Sequence, residues 1–398
     1  MKIMQINCVY QKGSTGKIVY DIHRVLQKKK IESVICYGRG KRIHEHGVYK
    51  TSSEFLGKWN NLKSRFTGIL YGGAFFATNR LMAIIQKEEP DVVHLHCING
   101  YFVNIYRLLS FLKEHHYHTI LTLHAEFMYT GNCGHALDCE KWLTGCGNCP
   151  RLKEATHSYF FDRTRTTWNK MKNAFEGFER MTVVSVSPWL QERAQKSPIL
   201  KNFRHVTILN GIDIKNVFHP RTFSHLKERH RLGKEKILLH VTADFTSELK
   251  GGKYVIELAN RLSNENIKII VIGNTAKDLK LPGNVIDVGR VANQLELAAY
   301  YSMADLTILT SQRETFSMVC AESLACGTPV VGFKAGAPEQ ISIPEYSEFV
   351  EYGNLDVLQE SVMEWLKKDI SLDNHLSEIY SKEKMADQYI QLYENEEI

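Results

Sequence analysis

Short apolar segments alternate with longer amphipathic segments along nearly the whole chain. In the first half these segments are KIMQIN, SVICY, DVVHLH, TILTLH and MTVVSVS, with helical periodicity between them. The second half repeats the alternation with KILLHVT, IKIIVIG, NVIDVG, DLTILT and TPVVGF. Continuously apolar strands separated by helices are typical of parallel sheets that helices cover on both faces. The sequence therefore predicts an α/β protein made of doubly wound parallel sheets.

Two domains are predicted, because 398 residues exceed the usual size of one. The alternation pauses at the turn residues Asn210 and Gly211 and at a charged stretch over 225–236. We therefore expect an N-terminal domain over 1–200 with a cysteine-rich insertion at 125–160, and a second domain over 201–380. A C-terminal helix over 381–398 is expected to pack back onto the first domain.

Composition excludes several classes of protein. Hydrophobic residues make up 43% of the chain and charged residues 24%, which excludes disordered and fibrous proteins. The net charge of +6 is mild for this length and does not indicate nucleic-acid binding. The N-terminus lacks the pattern of a secretory signal, and the most apolar stretch, 68–85, is interrupted by Asn79 and Arg80. A cytoplasmic protein without a membrane-spanning segment is expected.

Glu314 and Glu322 form the most specific motif, in ETFSMVCAESLACGTPVVGF, with seven residues between them. Glu314 follows a predicted strand, and Glu322 lies within the next predicted helix. The first backbone amides of that helix, at Phe316, Ser317, Met318 and Val319, can bind an anion. A carboxylate can accept hydrogen bonds from neighbouring sugar hydroxyls or from a ribose diol. The motif therefore suits a sugar diphosphate, although two solvated surface carboxylates are the alternative.

This motif resembles that of retaining glycosyltransferases of family 4, which have the GT-B fold. The resemblance extends over essentially the whole chain, through segments in the expected order. These are Gly13 to Gly16, Asp91 to His96, His124 in TLHAEF, Asn210 to Pro220, and Lys384, Ala386, Tyr389 and Tyr393 near the C-terminus. The resemblance implies two Rossmann-like domains facing across a cleft, the first binding an acceptor and the second a nucleotide sugar.

The resemblance also implies roles for individual residues. Lys250 takes the position of a lysine that holds the donor diphosphate, whereas Ala243 and Asp244 stand where an arginine is expected. Lys253, Arg313 or the helix amides would then neutralise the remaining negative charge of the diphosphate. His124 is expected to contact the donor sugar, Gly13 and Gly16 to bring backbone amides near the phosphate or acceptor, and Val291 to border the nucleobase.

The implied activity is transfer of a hexosyl unit, with retention of configuration, to a hydroxyl of a glycan or glycolipid acceptor. Glu314, His124 and Lys250 are the predicted catalytic residues. No catalytic divalent metal is expected, because no Asp-x-Asp motif follows a predicted strand. A sugar-nucleotide epimerase of the same fold and a non-catalytic two-lobed binding protein remain alternatives.

Cys133, Cys139, Cys146 and Cys149 lie within 17 positions, and the last two form a C-x2-C pair. Four thiolates suit a closed, structural zinc site. Free thiols, or a redox-active pair of Cys146 and Cys149, are the alternatives. Similar insertions occur in a subset of the family associated with cell-surface polysaccharides.

Two further expectations concern the first domain. Basic and aromatic residues between Lys41 and Arg80 could bind an anionic membrane leaflet. An ordinary solvated helix face explains these residues equally well. They are Lys50, Phe55, Lys58, Trp59, Lys63, Arg65 and Phe66. His94 and His96 are expected to be structural and to point to opposite sides of their strand.

Overall fold

A computed structural model describes residues 1–370, except 275 and 277, and residues 374–395. The chain divides into two compact units. The first unit comprises Met1–Ile208 and the C-terminal residues from Met385, and the second comprises Leu209–Lys384. Within the described residues, no helix combines the length and the apolar character needed to cross a membrane.

The first unit contains a seven-stranded, wholly parallel sheet. Its strands are β1 (Lys2–Asn7), β2 (Glu32–Tyr37), β3 (Val48–Lys50), β4 (Val92–Leu95), β5 (His118–Leu123), β6 (Met181–Ser185) and β7 (Arg204–Thr207). Their order is β3-β2-β1-β4-β5-β6-β7. The helices between them are α1 (Gly13–Lys28), α2 (Glu54–Thr67), α3 (Phe75–Glu88), α4 (Ile105–Glu114), α5 (Thr164–Phe175) and α6 (Pro188–Lys196).

The second unit contains a six-stranded parallel sheet. Its strands are β8 (Lys236–Val241), β9 (Ile267–Ile272), β10 (Val285–Gly289), β11 (Leu306–Leu309), β12 (Val330–Phe333) and β13 (Ser347–Val350), in the order β10-β9-β8-β11-β12-β13. Its helices are α7 (Ser224–Arg229), α8 (Gly252–Arg261), α9 (Gln294–Met303), α10 (Met318–Ala325), α11 (Pro338–Ile341) and α12 (Leu355–Trp365). The strand order reverses between β8 and β11, and ligands of such sheets bind at this point, outside the carboxyl ends of the strands. The predicted α/β class is confirmed.

The last helix, α13 (Lys382–Glu394), enters the core of the first unit. Its Tyr393 hydroxyl lies 2.7 Å from His94 Nδ1 on β4. The Tyr389 hydroxyl lies 2.9 Å from Thr122 Oγ1 on β5, and this oxygen lies 2.7 Å from His94 Nε2. Residues 396–398 of the predicted helix lie outside the described residues. Side chains of the C-terminal helix therefore satisfy polar groups that β4 and β5 bury.

The expectation that His94 and His96 point to opposite faces is wrong. Their ring centroids lie 3.9 Å apart, and both side chains are buried. Residues two positions apart in a strand lie on the same face of the sheet, because only successive residues alternate. Both rings therefore face the side that α13 covers.

Candidate functional site

Loops at the carboxyl edge of the second sheet bring Lys250 and Glu314 together. Lys250 follows β8 and Glu314 follows β11, and the Lys250 Nζ atom lies 2.6 Å from Glu314 Oε1. The hydroxyl of Thr310 donates to the Lys250 carbonyl over 3.1 Å, and the Gln312 amide donates to the Leu249 carbonyl over 2.8 Å. These bonds join the two loops side by side at the point where the strand order reverses.

Gly251 is required for this contact between the loops. Its φ is +68°, in the left-handed region that favours glycine. A Cβ atom there would lie 2.1 Å from the carbonyl oxygen of Thr310, which is closer than non-bonded atoms approach. The glycine after Lys250 therefore permits the approach of the two loops that forms the Lys250–Glu314 pair.

The backbone of Glu314 is held by a third loop, which follows β12. The Glu314 amide donates to the Ala335 carbonyl over 2.9 Å, and the Ala337 amide donates to the Glu314 carbonyl over 3.2 Å. Glu339 accepts hydrogen bonds from the amides of Ala335 and Gly336. No sequence motif marks this loop, although its position after the strand next to β11 was a signal that could have identified it.

Helix α10 begins beside Glu314 and carries Glu322. Ser317 precedes the helix with φ +79°, and its hydroxyl accepts a hydrogen bond from the Cys320 amide over 3.3 Å. Phe316 is buried, which anchors the start of the helix. The first amides of an α-helix have no partner within the helix, so those of Met318 and Val319 are suited to binding an anion.

The carboxylate of Glu322 is oriented by Tyr301, a residue of α9 that sequence analysis missed. The Tyr301 hydroxyl donates to Glu322 Oε2 over 3.0 Å. Burial and the nearby Glu322 carboxylate raise the pKa of Tyr301 well above its ordinary value, so the hydroxyl keeps its proton and remains a donor. No spacing rule links a tyrosine to a carboxylate on the following helix. From the sequence alone, a tyrosine in a helix is interpreted as a residue of the hydrophobic core.

The other residues predicted for the second unit lie around this site or further along the same edge. Arg313 directly precedes Glu314 and is half-buried. Lys253 lies in α8, where its ammonium is placed over the ring of Tyr254 at 5.1 Å. Val291 lies in the loop between β10 and α9. Of the residues predicted for this unit, Lys250 and Glu314 form a salt bridge with each other.

The remaining predicted residues belong to the first unit. Gly13 begins α1 with φ +63°, and a Cβ atom on Gly16 would lie 3.0 Å from a Val9 methyl group. His124 follows β5, and its Nε2 atom lies 3.2 Å from Nδ1 of His96. His96 Nε2 lies 3.2 Å from the Gln5 side-chain oxygen, which can only accept. Burial lowers the pKa of His124 to about 4, so this ring is neutral at pH 7.

The four clustered cysteines lie in the insertion between β5 and α5, and all four are free thiols. They line one small cavity together with Gly131 and Trp142. The Gly131 amide donates to Cys146 Sγ over 3.2 Å. Burial raises the pKa of the Cys133 thiol to about 11. Among the described residues, no three or more His, Cys, Asp and Glu side chains are arranged as a group that could hold a metal ion.

A buried carboxylate anchors this insertion to the first unit. Glu126 is fully buried and accepts hydrogen bonds from the Ala136 amide over 2.7 Å, the Tyr129 hydroxyl over 3.0 Å and Arg193 Nε over 2.6 Å. The Arg193 guanidinium also stacks on Trp142, with its central carbon 5.0 Å from the ring centroid. Such a network is costly to break, because the remaining charge would be buried without a partner.

Two protein-family profiles match the chain. Residues 223–384 match the family described as Glycosyl transferases group 1. Residues 15–216, half of the chain, match the family described as Glycosyltransferase Family 4. The chain belongs to this second family. It is therefore a glycosyltransferase, as the resemblance of the sequence predicted, and both units match profiles of such enzymes.

A relative of known name and two solved structures are similar to nearly the whole chain. WcaC of Escherichia coli K12, described as a putative colanic acid biosynthesis glycosyl transferase, is 22% identical over 99% of this chain and 100% of its own. Sucrose-phosphate synthase of Thermosynechococcus elongatus superimposes with a TM-score of 0.68 at 16% identity, over 99% of this chain and 98% of its own. Anabaena Alr3699/HepE in complex with UDP-glucose superimposes with a TM-score of 0.64 at 15% identity, over 98% of this chain and 99% of its own. The GT-B fold is confirmed.

Proposed function

We propose that this member of Glycosyltransferase Family 4 transfers a hexosyl unit from a nucleoside diphosphate sugar to a hydroxyl acceptor, with retention of anomeric configuration. The ion pair of Lys250 and Glu314 beside the first turn of α10 is the observation that carries the proposal. It combines a cation and helix amides for a diphosphate with a carboxylate for sugar hydroxyls. The complexes of Anabaena Alr3699/HepE with UDP and UDP-glucose support a nucleotide sugar as donor.

Each group at the site has a proposed part in donor binding. Lys250 and the amides of Met318 and Val319 hold the diphosphate, with Phe316 and Ser317 fixing the start of the helix. Glu314 accepts hydrogen bonds from hydroxyls of the transferred sugar. Glu322, which Tyr301 orients, accepts a bond from each hydroxyl of the ribose diol. These roles follow the family resemblance and agree with the positions of the side chains in the second unit.

The proposed reaction has no covalent enzyme intermediate. The acceptor oxygen bonds to the anomeric carbon on the face from which the diphosphate oxygen departs, and the bond between that carbon and that oxygen breaks. The acceptor proton passes to an oxygen of the departing diphosphate. Lys250 and the α10 amides stabilise the negative charge that grows on the leaving group, an effect worth most where water is excluded. We propose that no catalytic divalent metal is needed, because these groups offset diphosphate charge and the sequence has no Asp-x-Asp motif after a strand.

The first unit is proposed to recognise the acceptor. We propose an acceptor that belongs to a cell-surface polysaccharide or to its lipid-linked precursor, and the assignment of Escherichia coli WcaC to colanic acid biosynthesis supports a polysaccharide pathway. The neutral His124 is proposed to contact the donor sugar, with Gly13 and Gly16 allowing backbone amides to approach phosphate or acceptor.

The four cysteines of the insertion are proposed to bind a structural zinc ion. The shared cavity and the bond from the Gly131 amide to Cys146 support this assignment. In this structure the four thiols are not grouped as ligands of one metal ion. Zinc binding therefore requires the side chains of Cys133, Cys139, Cys146 and Cys149 to turn toward one point. Four thiolates would leave no open coordination position, so the ion would stabilise the insertion and take no part in transfer.

The activity can be tested with the purified full chain and a panel of UDP-, GDP- and ADP-sugars. Nucleotide release and the anomeric proton signal of the product are followed in the presence of EDTA. We expect release with at least one donor, a product of retained configuration with a glycan acceptor, and loss of both in Glu314→Ala. Glu345→Ala removes an exposed carboxylate of the same unit and serves as the matched control.

Other outcomes would overturn the proposal. Conversion of the sugar nucleotide into an epimer without an acceptor would identify an epimerase. Binding of a sugar nucleotide with no turnover in the presence of any glycan acceptor would favour a non-catalytic binding protein. Activity that disappears with EDTA and returns with a divalent ion would contradict the metal-independent mechanism.

A further inference from the structure

Helix α2 exposes an apolar stripe instead of burying it. Phe55, Trp59, Leu62 and Phe66 are 76%, 58%, 42% and 49% exposed. They are spaced by four, three and four positions, which places them along one face of the helix. A helix on the surface of a globular protein ordinarily turns such a stripe toward the core. The orientation of α2 is therefore the reverse of the usual one.

Polar contacts hold α2 in this orientation. Its buried residues are Gly57 and Ser64, and a Cβ atom on Gly57 would lie 2.6 Å from a guanidinium nitrogen of Arg39. The Asn60 side-chain oxygen accepts a hydrogen bond from the Ala74 amide over 3.1 Å. The inward face is thus made of small and polar groups with specific partners. Rotating the stripe inward would break these contacts.

A second segment extends the apolar stripe. Tyr159, Phe160 and Phe161 are exposed, and the Tyr159 amide donates to the carbonyl of Arg65, near the end of α2, over 2.9 Å. The Phe66 ring centroid lies 5.4 Å from that of Tyr159 and 5.9 Å from that of Phe160. The helix and this segment therefore form one continuous aromatic surface.

The first turn of α3 adds two exposed aromatic side chains. Phe75 and Phe76 have ring centroids 5.9 Å apart, and the Asn60–Ala74 hydrogen bond joins this turn to the inward face of α2. Of the 15 large hydrophobic side chains that are exposed among the described residues, ten lie on α2, at the start of α3 or in Tyr159–Phe161. Contiguous apolar areas of this kind mark binding surfaces in soluble proteins.

The exposed charges of α2 are mainly positive, whereas the exposed Asp162 beside Phe161 accepts hydrogen bonds from the Cys149 amide and the Thr164 hydroxyl. Lys58 and Lys63 are exposed on α2. Glu54 is the helix's acidic residue, and its carboxylate is occupied by Arg39, whose Nη2 atom lies 2.7 Å away. Lysines beside a stripe of Trp, Phe and Leu are typical of helices that lie in the interface of an anionic bilayer.

We propose that this surface, formed by α2, Phe75, Phe76 and Tyr159–Phe161, binds an anionic lipid bilayer, with α2 lying parallel to the bilayer plane. The aromatic stripe enters the boundary between headgroups and acyl chains, while Lys58 and Lys63 contact lipid phosphates. A second copy of the chain fits less well, because a two-fold contact brings the same patch of both copies together and opposes their lysines. The inference is independent of glycosyl transfer.

Sedimentation with vesicles tests it on the full chain. Sucrose-loaded vesicles of phosphatidylcholine with a quarter of phosphatidylglycerol are compared with vesicles of phosphatidylcholine alone. We expect binding to the anionic vesicles, about tenfold weaker binding to the neutral ones, and weakening with salt. Trp59→Ser with Phe66→Ser, and separately Lys58→Glu with Lys63→Glu, should each weaken binding by about tenfold or more. Leu295→Ser, at an exposed leucine of the second unit, should leave it unchanged.

A conservative variant locates the contact. Trp59→Phe should keep vesicle binding but lose the quenching of tryptophan fluorescence by brominated lipid, which a general loss of folding would not produce. Failure of the wild type to sediment with anionic vesicles, or equal binding by wild type and both double variants, would overturn the proposal. Dimerisation that the Trp59→Ser, Phe66→Ser variant abolishes, without vesicle binding, would instead assign the surface to a second copy.

Discussion

The Lys250 ammonium nitrogen lies 2.6 Å from a carboxylate oxygen of Glu314, although the residues are 64 positions apart in the chain. Each follows a different strand at the place where the strand order of the second sheet reverses. Both side chains are partly exposed, at 32% and 18%. Partly exposed ion pairs contribute little to folding, so the arrangement of these two groups is better explained by ligand binding than by stability.

Substitution of Lys250 by alanine should therefore damage turnover far more than folding. We expect kcat to fall by about 100-fold or more, because the variant loses the group that is proposed to stabilise leaving-group charge. The free energy of unfolding should change by less than about 1 kcal/mol. Nucleotide release and thermal unfolding measure the two effects.

Lys236→Ala is the matched control for that experiment. Lys236 begins the same strand, β8, and its Nζ atom lies 2.8 Å from Asp305 at the opposite edge of the sheet. Its removal breaks a comparable ion pair away from the proposed site, so activity should be retained. Equal losses of activity in the two variants would contradict the role of Lys250.

Tyr301→Phe should weaken nucleotide binding with little effect on kcat. The variant removes the hydroxyl that donates to Glu322, so the carboxylate loses the fixed position that the proposed binding of a ribose diol requires. We expect KM for the donor to rise about three- to tenfold. The neighbouring Tyr300 is also buried but bonds His230 over 2.8 Å, so Tyr300→Phe provides the control. A fall in kcat with unchanged KM would place Glu322 elsewhere in the mechanism.

Mild acid should destabilise the protein through its buried histidines. Burial lowers the pKa of His124 and of His240 to about 4, and it also lowers the pKa of His94 and His96 well below the ordinary value. In an unfolded chain these groups have a pKa of about 6.5, so the unfolded state binds more protons between about pH 6.5 and 4. Stability is therefore complete above about pH 6.5 and falls as the pH drops through this range.

The midpoint of thermal unfolding, recorded from pH 7.5 to 4.5, checks this expectation. His124→Gln should reduce the pH dependence, whereas His44→Gln, at an exposed position, should leave it unchanged. A midpoint that stays constant down to pH 4.5 would show that the buried histidines do not control acid stability.

The zinc proposal predicts about one zinc ion per chain when the protein is purified without chelators. Cys146→Ser should lower the zinc content and the thermal midpoint, because it removes one ligand of a structural site. Cys36→Ser replaces a buried cysteine outside the insertion and should keep the metal. Zinc-free protein with four titratable thiols in the insertion, or with a Cys146–Cys149 disulfide, would refute the assignment.

The order of strands and helices could be predicted because the apolar pattern is local in the sequence, and the position of Glu314 after a strand could be predicted for the same reason. The partner of Glu322 could not, because Tyr301 lies on another helix and only packing brings them together. The error over His94 and His96 came from misapplying the two-residue repeat of a strand. The composition of α2 predicted either a membrane-binding face or an ordinary solvated face. Only the contacts of Gly57 and Asn60 show which side of the helix faces inward.

The position of α13 has a consequence for biosynthesis. The hydroxyls of Tyr389 and Tyr393 complete hydrogen bonds to Thr122 and His94, residues that the ribosome adds more than 260 positions earlier. The first unit therefore cannot close its core during translation until the whole second unit has been made. A nascent chain, or a product truncated before α13, carries an open apolar surface on its N-terminal unit, where chaperones and proteases recognise incomplete proteins.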